Sequence, residues 1–505
     1  MHPIRLPPNP MEDSRRIGTV TAATGQSVTL NLPNAATGGA VALHGEVVPR
    51  GEVGEYVCIP SRDSIVLGRI AKVELPERDR LGVEPRVGTA PRADPVGYVT
   101  LLTDVRLPGG EVSGAIAAPP RLGTPAYSAS SVFLRWVLEA SARSGRVENT
   151  VALSIGEVAG VPGLPVTISP ERLFGRHCAV LGVTGGGKSW TIATLLEECG
   201  RHASKAILID ATGEFASLDS AAHHLSIGSE KDAPGDSVEC SCPHHRLEER
   251  DLFALFTPSG QSQAPTLREA IRSLKLANCA GLPPGLVESG CVPKSGRPKR
   301  VFLEAARAHA STLESPAAAF DVELLTRQLE LECVWPSGGT GTRPDDSVWG
   351  GPNQAAVGYC LSLVVRIESA VKAKSMKAVF RPGALPSVHD EIEKFLRDDT
   401  KRVLRISLRF LSFSHNVRPI VVNAIGRHLL ALARDKQFAT KPLVVLLDEA
   451  HQFLGQTVGE ESNAYYLDAF DLLAKEGRKY GLTVCLATQR PRDIQDGVLS
   501  QMGTM

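Results

Sequence analysis

The sequence predicts an α/β protein: a parallel sheet carrying a phosphate-binding loop, interrupted by a helical insertion and preceded by a small N-terminal β-barrel. Three observations predict it. Residues 177–181 are an apolar run leading into Gly182-Val183-Thr184-Gly185-Gly186-Gly187-Lys188-Ser189, and residues 192, 195, 196 and 199 then recur at helical spacing. Two further apolar runs without alternation, 206–209 and 443–447, end in carboxylates, as strands buried on both faces of a parallel sheet do. The first hundred residues are instead rich in Val, Thr, Gly and Pro, with short alternating runs between turn residues.

The 505-residue chain is long enough for two to four domains, and its 43% hydrophobic content allows sizeable cores. Its formal charge of zero argues against a surface coated in cations, although a local basic stripe can hide in that sum. Charge therefore neither supports nor excludes a DNA partner. Ten scattered cysteines and no N-terminal apolar signal run suit reduced thiols in the cytoplasm. No apolar stretch is expected to approach the roughly 20 residues that span a bilayer, so no membrane partner is expected.

The segments 27–32, 56–59 and 64–70 read as barrel strands, and nothing among residues 1–125 has the spacing of a catalytic or metal site. Its expected role is assembly or docking. Pro119, Pro120 and Gly123 mark a boundary. A connector over 126–170 follows, containing a helix near 131–142 with Phe133, Trp136, Val137 and Ala140 on its apolar face.

The core is expected over 171–220 and 416–505. Strand, glycine loop and helix form the context that a phosphate-binding loop requires. Gly182, Thr184, Gly185, Gly186, Gly187, Lys188, Ser189 and Trp190 make up the nucleotide-contacting stretch. Lys188 is expected to reach the β- and γ-phosphates, and Ser189 to ligate Mg²⁺. ATP and Mg²⁺ are the implied cofactors. Asp210 and Glu214 lie near the end of the second strand, the edge where α/β sheets put their ligands. The run 443–447 ends in Asp448 and Glu449, the form of a Walker B strand: Asp448 for the metal, Glu449 to polarise the attacking water. A third strand, 483–488, delivers Gln489, a γ-phosphate sensor or water-positioning amide. Arg478 and Lys479 read either as an arginine finger acting on a neighbouring subunit or as a basic helix end, which composition alone favours.

More than two hundred residues separate the second strand from the Walker B strand. Periodicity over 303–310, 322–333 and 357–372 predicts helices in an insertion spanning 221–415. Within it, Cys240-Ser241-Cys242-Pro243-His244-His245 has zinc-binding residue types but poor ligand spacing and no second pair. A further helix is expected over 417–434.

Taken together, Arg176-His177 before the loop strand, the 182–189 loop, Asp210-Ala211-Thr212-Gly213-Glu214-Phe215, Leu447-Asp448-Glu449-Ala450-His451-Gln452-Phe453-Leu454, and the stretch from Glu476 to Pro491 resemble the HerA family of DNA-translocating ATPases, relatives of FtsK. The motifs cover perhaps a fifth of the chain. The resemblance implies a RecA-like core behind a barrel assembly domain, a hexameric ring with double-stranded DNA in its pore, and a nuclease or other effector partner. Anti-phage defence is one setting it suggests. It also implies that Arg478 acts in trans, that Arg176 lies near the nucleotide, and that Gln489 senses the γ-phosphate. Family members continue well past the Arg-Pro stretch, whereas this sequence ends at Met505, so either a shortened protein or an incomplete sequence is expected. Two other functions compete: a nucleotide-dependent scaffold that activates an effector, and a secretion or conjugation ATPase.

Overall fold

The computed structural model describes residues 10–35, 39–75, 94–107, 109–143, 151–159, 161, 163–202, 204–218, 222–228, 237–315, 318–340, 343–412, 416–454 and 467–504. The chain divides into two units, 1–170 and 171–505.

In the first unit, β1 (Arg16–Ala23), β2 (Ser27–Asn31), β5 (Tyr56–Ser61), β6 (Ser64–Glu74), β7 (Val96–Arg106) and β9 (Pro125–Ser128) pair antiparallel in the order β2-β1-β9-β5-β6-β7. A β2–β7 pairing closes the six into a barrel. A short hairpin, β3 (Val41–Leu43) and β4 (Glu46–Val48), and the edge strand β8 (Val112–Ser113) are appended. Alternation decides the interior: Val28 and Leu30 of β2 and Val99 and Leu101 of β7 point inward, where Ile17, Ile59 and Ile70 join them. Closure leaves no long open edge among these strands. The β6 register shifts at Gly68, where a Cβ would lie 2.5 Å from Val99 Cγ1, so glycine permits the bend. The barrel closes on β9, just past the sequence boundary at 125. The Ser131–Arg143 helix buries Phe133, Leu134 and Val137 with Cys58, Ile65 and Leu67 on the outer barrel face. The hairpin of β10 (Leu153–Glu157) and β11 (Pro165–Ile168) completes this unit.

The second unit is built on a wholly parallel sheet of eight strands. These are β12 (His177–Leu181), β13 (Lys205–Asp210), β14 (Ala222–Ile227), β15 (Val238–Cys240), β18 (Val403–Ser407), β19 (Leu443–Leu447), β20 (Leu482–Thr488) and β21 (Met502–Thr504). A separate small hairpin, β16 (Gly338–Thr340) with β17 (Arg343–Asp345), lies in the insertion. The spatial order is β15-β14-β18-β13-β19-β20-β12-β21. The continuous apolar runs are explained by burial on both faces. Ala206, Leu208, Val444 and Leu446 pack with Ile192 and Leu196 of the helix after the glycine loop, whereas Ile207, Ile209, Val445 and Leu447 enter the larger core with Val417–Arg434 and the insertion.

The 221–415 stretch is not helical throughout. β14, β15 and β18 fall inside it, and helices occupy the part between Glu249 and Arg397. Polar residues buried in these short strands, His224, Ser226 and Arg405, break the apolar pattern that betrays the other strands. The predicted helices are present as Lys299–Ala308, Leu325–Glu332, Gln354–Lys372 and Val417–Arg434. Gln354–Lys372 corrects the expectation of no spanning-length apolar run: with a mean hydropathy of 1.2, it is the one such helix among the described residues. Its Cys360, Leu363 and Ile367 lie in the core, and Arg366 donates to the Phe256 and Thr257 carbonyls. The cysteine-histidine stretch is absorbed into packing. Cys240 bonds the Ser226 carbonyl, His244 meets the Phe320 carbonyl at 2.9 Å, and no metal-binding cluster occurs among the described residues.

One buried ion pair crosses the sheet: Arg405 Nε on β18 lies 2.7 Å from Asp210 Oδ2 on β13, with the side chains 3% and 0% exposed. Removing one partner strands the other charge away from water. Arg405→Ala is expected to cost about 3–5 kcal/mol in chemical denaturation, with Arg405→Lys losing less. A loss below about 1 kcal/mol would show that the backbone donors around Asp210 suffice on their own.

Candidate active site

Because every strand of the sheet runs the same way, residues immediately after β12, β13, β19 and β20 share one edge. The strand order decides which of them meet. β20 lies between the loop strand β12 and the Walker B strand β19, so Gln489 follows a strand flanked by both. Its side-chain oxygen accepts from the Thr184 hydroxyl, and its amide donates to Glu449 Oε1. One amide thus ties the glycine loop to the Walker B carboxylate.

In the glycine loop, Gly185 and Gly187 adopt φ of 74° and 83°, the left-handed region, and a Cβ at either would meet nothing within 4 Å. The open side therefore faces away from the protein, as an anion cradle requires. On the inner side, a Cβ on Gly186 would approach the Val183 carbonyl oxygen at 3.0 Å and one on Gly182 would reach Lys188 Cγ at 3.3 Å. Lys188 begins the Lys188–Arg201 helix, and its buried ammonium donates to the Val183 carbonyl at 3.1 Å. Its donors and the helix N-terminus meet at one point suited to phosphate. Trp190, in the first turn, is 65% exposed.

Asp448 is buried, and burial together with the Asp210, Glu449 and Glu214 charges pushes its carboxyl up to about 7. Ser189 Oγ donates to Glu214 Oε2 at 2.8 Å. The Ser189 hydroxyl and the Asp448 and Glu214 carboxylates are hard oxygen donors of the kind that suits Mg²⁺. Glu449 has φ of 46°, uncommon for a non-glycine residue and the kind of strain that clusters at active sites. His451 Nδ1 stands 3.2 Å from both Glu449 Oε2 and the Thr488 hydroxyl.

Asp210 is not free to bind a metal. Its Oδ1 accepts from the Thr212 and Gly213 amides at 3.2 and 2.7 Å, and its Oδ2 from Phe215 at 3.3 Å as well as from Arg405.

Arg176 and Arg478 sit elsewhere. Arg176 precedes β12 and Arg478 precedes β20, which puts both at the opposite edge of the sheet from the glycine loop. The six residue steps from Arg176 to Gly182 span about 20 Å of strand. Within its own chain Arg176 therefore stands apart from the glycine loop. Together with Lys475 and Lys479 the two arginines line a cavity of ≈ 560 Å³. His177 is structural: its Nδ1 accepts the Val484 amide at 2.9 Å.

Sequence reasoning put Glu214 at the ligand edge but not beside Ser189, and it left two contributors out of the site: His451 beside Glu449 and Arg405 behind Asp210. Arg405 had a signal, a lone charge between apolar residues in a run that burial on both faces would require to be paired.

The Asp448 shift fixes a sign. The folded chain holds this proton more tightly than an unfolded carboxyl near 3.9, so stability falls as pH rises from about 4 to 7. In EDTA, Asp448→Asn is expected to melt about 2–4 °C higher than wild type at pH 8, with the gap closing toward pH 5. A lower melting temperature at pH 8 would refute the crowded-carboxylate account.

The family model "Helicase HerA, central domain" matches residues 153–280. A probable helicase of Methanocaldococcus jannaschii is 23% identical over 473 residues, 90% of this chain and 76% of the relative. The DNA double-strand break repair helicase HerA of Pyrococcus furiosus is 40% identical over 425 residues, 78% of this chain and 66% of the relative. Among solved structures, the bacterial conjugative coupling protein TrwB overlaps 71% of this chain and 72% of its own at 16% identity and a TM-score of 0.39, a loose likeness. A glycine loop, a Walker B carboxylate pair and a bridging glutamine on one parallel-sheet edge are the working parts of a P-loop ATPase, and the chain belongs to the HerA family of these enzymes.

Proposed function

We propose that this chain is the motor subunit of a ring, hexameric as the family resemblance implies, that hydrolyses ATP to translocate double-stranded DNA and works with a nuclease or other effector. The observation that carries the reading is the separation of the basic cavity from the glycine loop. Arg176, Arg478 and Lys479 form no ion pair among the described residues, and they lie about 20 Å of strand from the loop of their own chain. Arginines so placed act on a phosphate held by a neighbouring copy, which makes hydrolysis a property of the assembly.

Within one site, Lys188 and the backbone N–H groups of the glycine loop hold the β- and γ-phosphates. Ser189 and Asp448 hold Mg²⁺, which when bound neutralises charge building on those phosphates. Glu449, its backbone in the left-handed region, takes a proton from the attacking water. Gln489 exchanges its bond to Thr184 for the γ-phosphate and so reports its presence to Glu449. Arg478 of one subunit stabilises the transition state in the next, a contribution worth 10³–10⁵ in kcat in comparable enzymes. The DNA substrate and the repair setting are carried over from the names of the helicase relatives, and the cytoplasm is the expected location. Anti-phage defence stands as one biological setting.

The test is the ATPase rate of the purified chain, with and without linear duplex DNA, alongside its oligomer mass. A ring whose hydrolysis rises with DNA is expected. Glu449→Gln should keep nucleotide binding while losing at least about 100-fold in turnover, and Lys188→Ala should lose binding. Mixing wild-type chain with an excess of Arg478→Ala should depress the activity of the wild-type sites. Strictly proportional dilution would overturn the trans assignment, and DNA-insensitive hydrolysis the translocase reading.

A further inference from the structure

We infer that Glu214 is a positioning residue of the magnesium site: its carboxylate accepts the Ser189 hydroxyl's hydrogen bond and so turns the oxygen's lone pairs toward the cation. The inference rests on the ATPase reading and assigns to Glu214 a role that the loop and Walker B residues leave open.

The contact is specific. Ser189 Oγ donates to Glu214 Oε2 at 2.8 Å, and a hydroxyl has one proton to give. While that proton points at Glu214, both lone pairs of the oxygen remain for a metal. A carboxylate behind a metal ligand is the usual device for fixing a ligand's orientation and raising its basicity.

The placement of Glu214 is built rather than incidental. Gly213 adopts φ of 88°, and its Cβ position is blocked by Arg409 Cδ at 2.7 Å, so only glycine fits there. The residues on either side of Glu214, Gly213 and Phe215, donate their amides to the Asp210 carboxylate at 2.7 and 3.3 Å. The Phe215 ring is buried in the core beneath the loop helix, next to Ile192 and Leu196. Arg418 holds the same turn from the other side, donating to the Ala211 carbonyl at 3.1 Å and the Arg409 carbonyl at 2.9 Å. Glu214 itself is exposed at the tip of this clamp, where a nucleotide-bound cation can meet it.

The experiment titrates Mg²⁺ into full-length chain with a fluorescent, non-hydrolysable ATP analogue, reading binding rather than turnover. Glu214→Ala is expected to raise the half-saturating Mg²⁺ concentration by about 10–100-fold, with analogue affinity in EDTA no weaker than wild type. Glu214→Gln, whose amide oxygen can still accept the hydroxyl's hydrogen bond, should fall between the two. In a Ser189→Ala background the Glu214→Ala effect should vanish, because its route to the metal is through that hydroxyl. Unchanged Mg²⁺ dependence in Glu214→Ala, or a full effect persisting without the Ser189 hydroxyl, would overturn the assignment while leaving the ATPase reading intact. A wild-type chain that binds no analogue at any Mg²⁺ concentration would overturn both.

Discussion

The structure turns on the carboxylate of Asp210. It is fully buried, ends β13, and is held by four donors: the guanidinium of Arg405 and the amides of Thr212, Gly213 and Phe215. A charge in that position is tolerable only because each lone pair is used. In consequence three things are fixed together: the register of β13 against β18, the course of the turn after β13, and the position of Glu214 beside Ser189. Asp210 also adds to the negative field at Asp448. The same field that costs stability in the empty chain is a ready reception for a divalent cation, so the active site stores its affinity as like-charge repulsion.

A second constraint is directional. In a wholly parallel sheet every loop after a strand lies on one edge and every loop before a strand on the other. Lys188, Asp448, Glu449 and Gln489 follow their strands; Arg176 and Arg478 precede theirs. Strand length alone keeps the two groups apart within a chain. The glycine loop and the two arginines therefore occupy opposite edges of one sheet, the placement on which the proposed action across a subunit interface rests.

How much of this was legible in the sequence follows from the same physics. β12, β13, β19 and β20 are buried on both faces and announce themselves as unbroken apolar runs. The glycine loop and the Asp448–Glu449 pair are contiguous, so their chemistry could be read without a fold. β14 and β18 were missed because His224, Ser226 and Arg405 interrupt them, and such residues are permitted in a core only by partners distant in sequence. Glu214 stands 25 residues from Ser189, and spacing says nothing of that bond. Arg176 shows the opposite effect: it is six residues from the loop in sequence, yet an extended strand converts those residues into distance within the chain rather than proximity.

The bridging amide of Gln489 shows how topology makes a signal out of a binding event. Had β20 been an edge strand, its glutamine would have met one neighbour only. Set between β12 and β19, it bonds Thr184 on one side and Glu449 on the other. In the proposed mechanism a γ-phosphate in the loop competes for the Thr184 end, while His451 Nδ1 stands 3.2 Å from both the second Glu449 oxygen and the Thr488 hydroxyl on the same strand. Glu449 is thus flanked by two groups that both belong to or meet the end of β20, the strand whose opposite end leads back to Arg478. The glycine-loop edge and the basic cavity at the other edge are joined by seven buried residues of a single strand, the rigid connection that the proposed coupling between subunits would use.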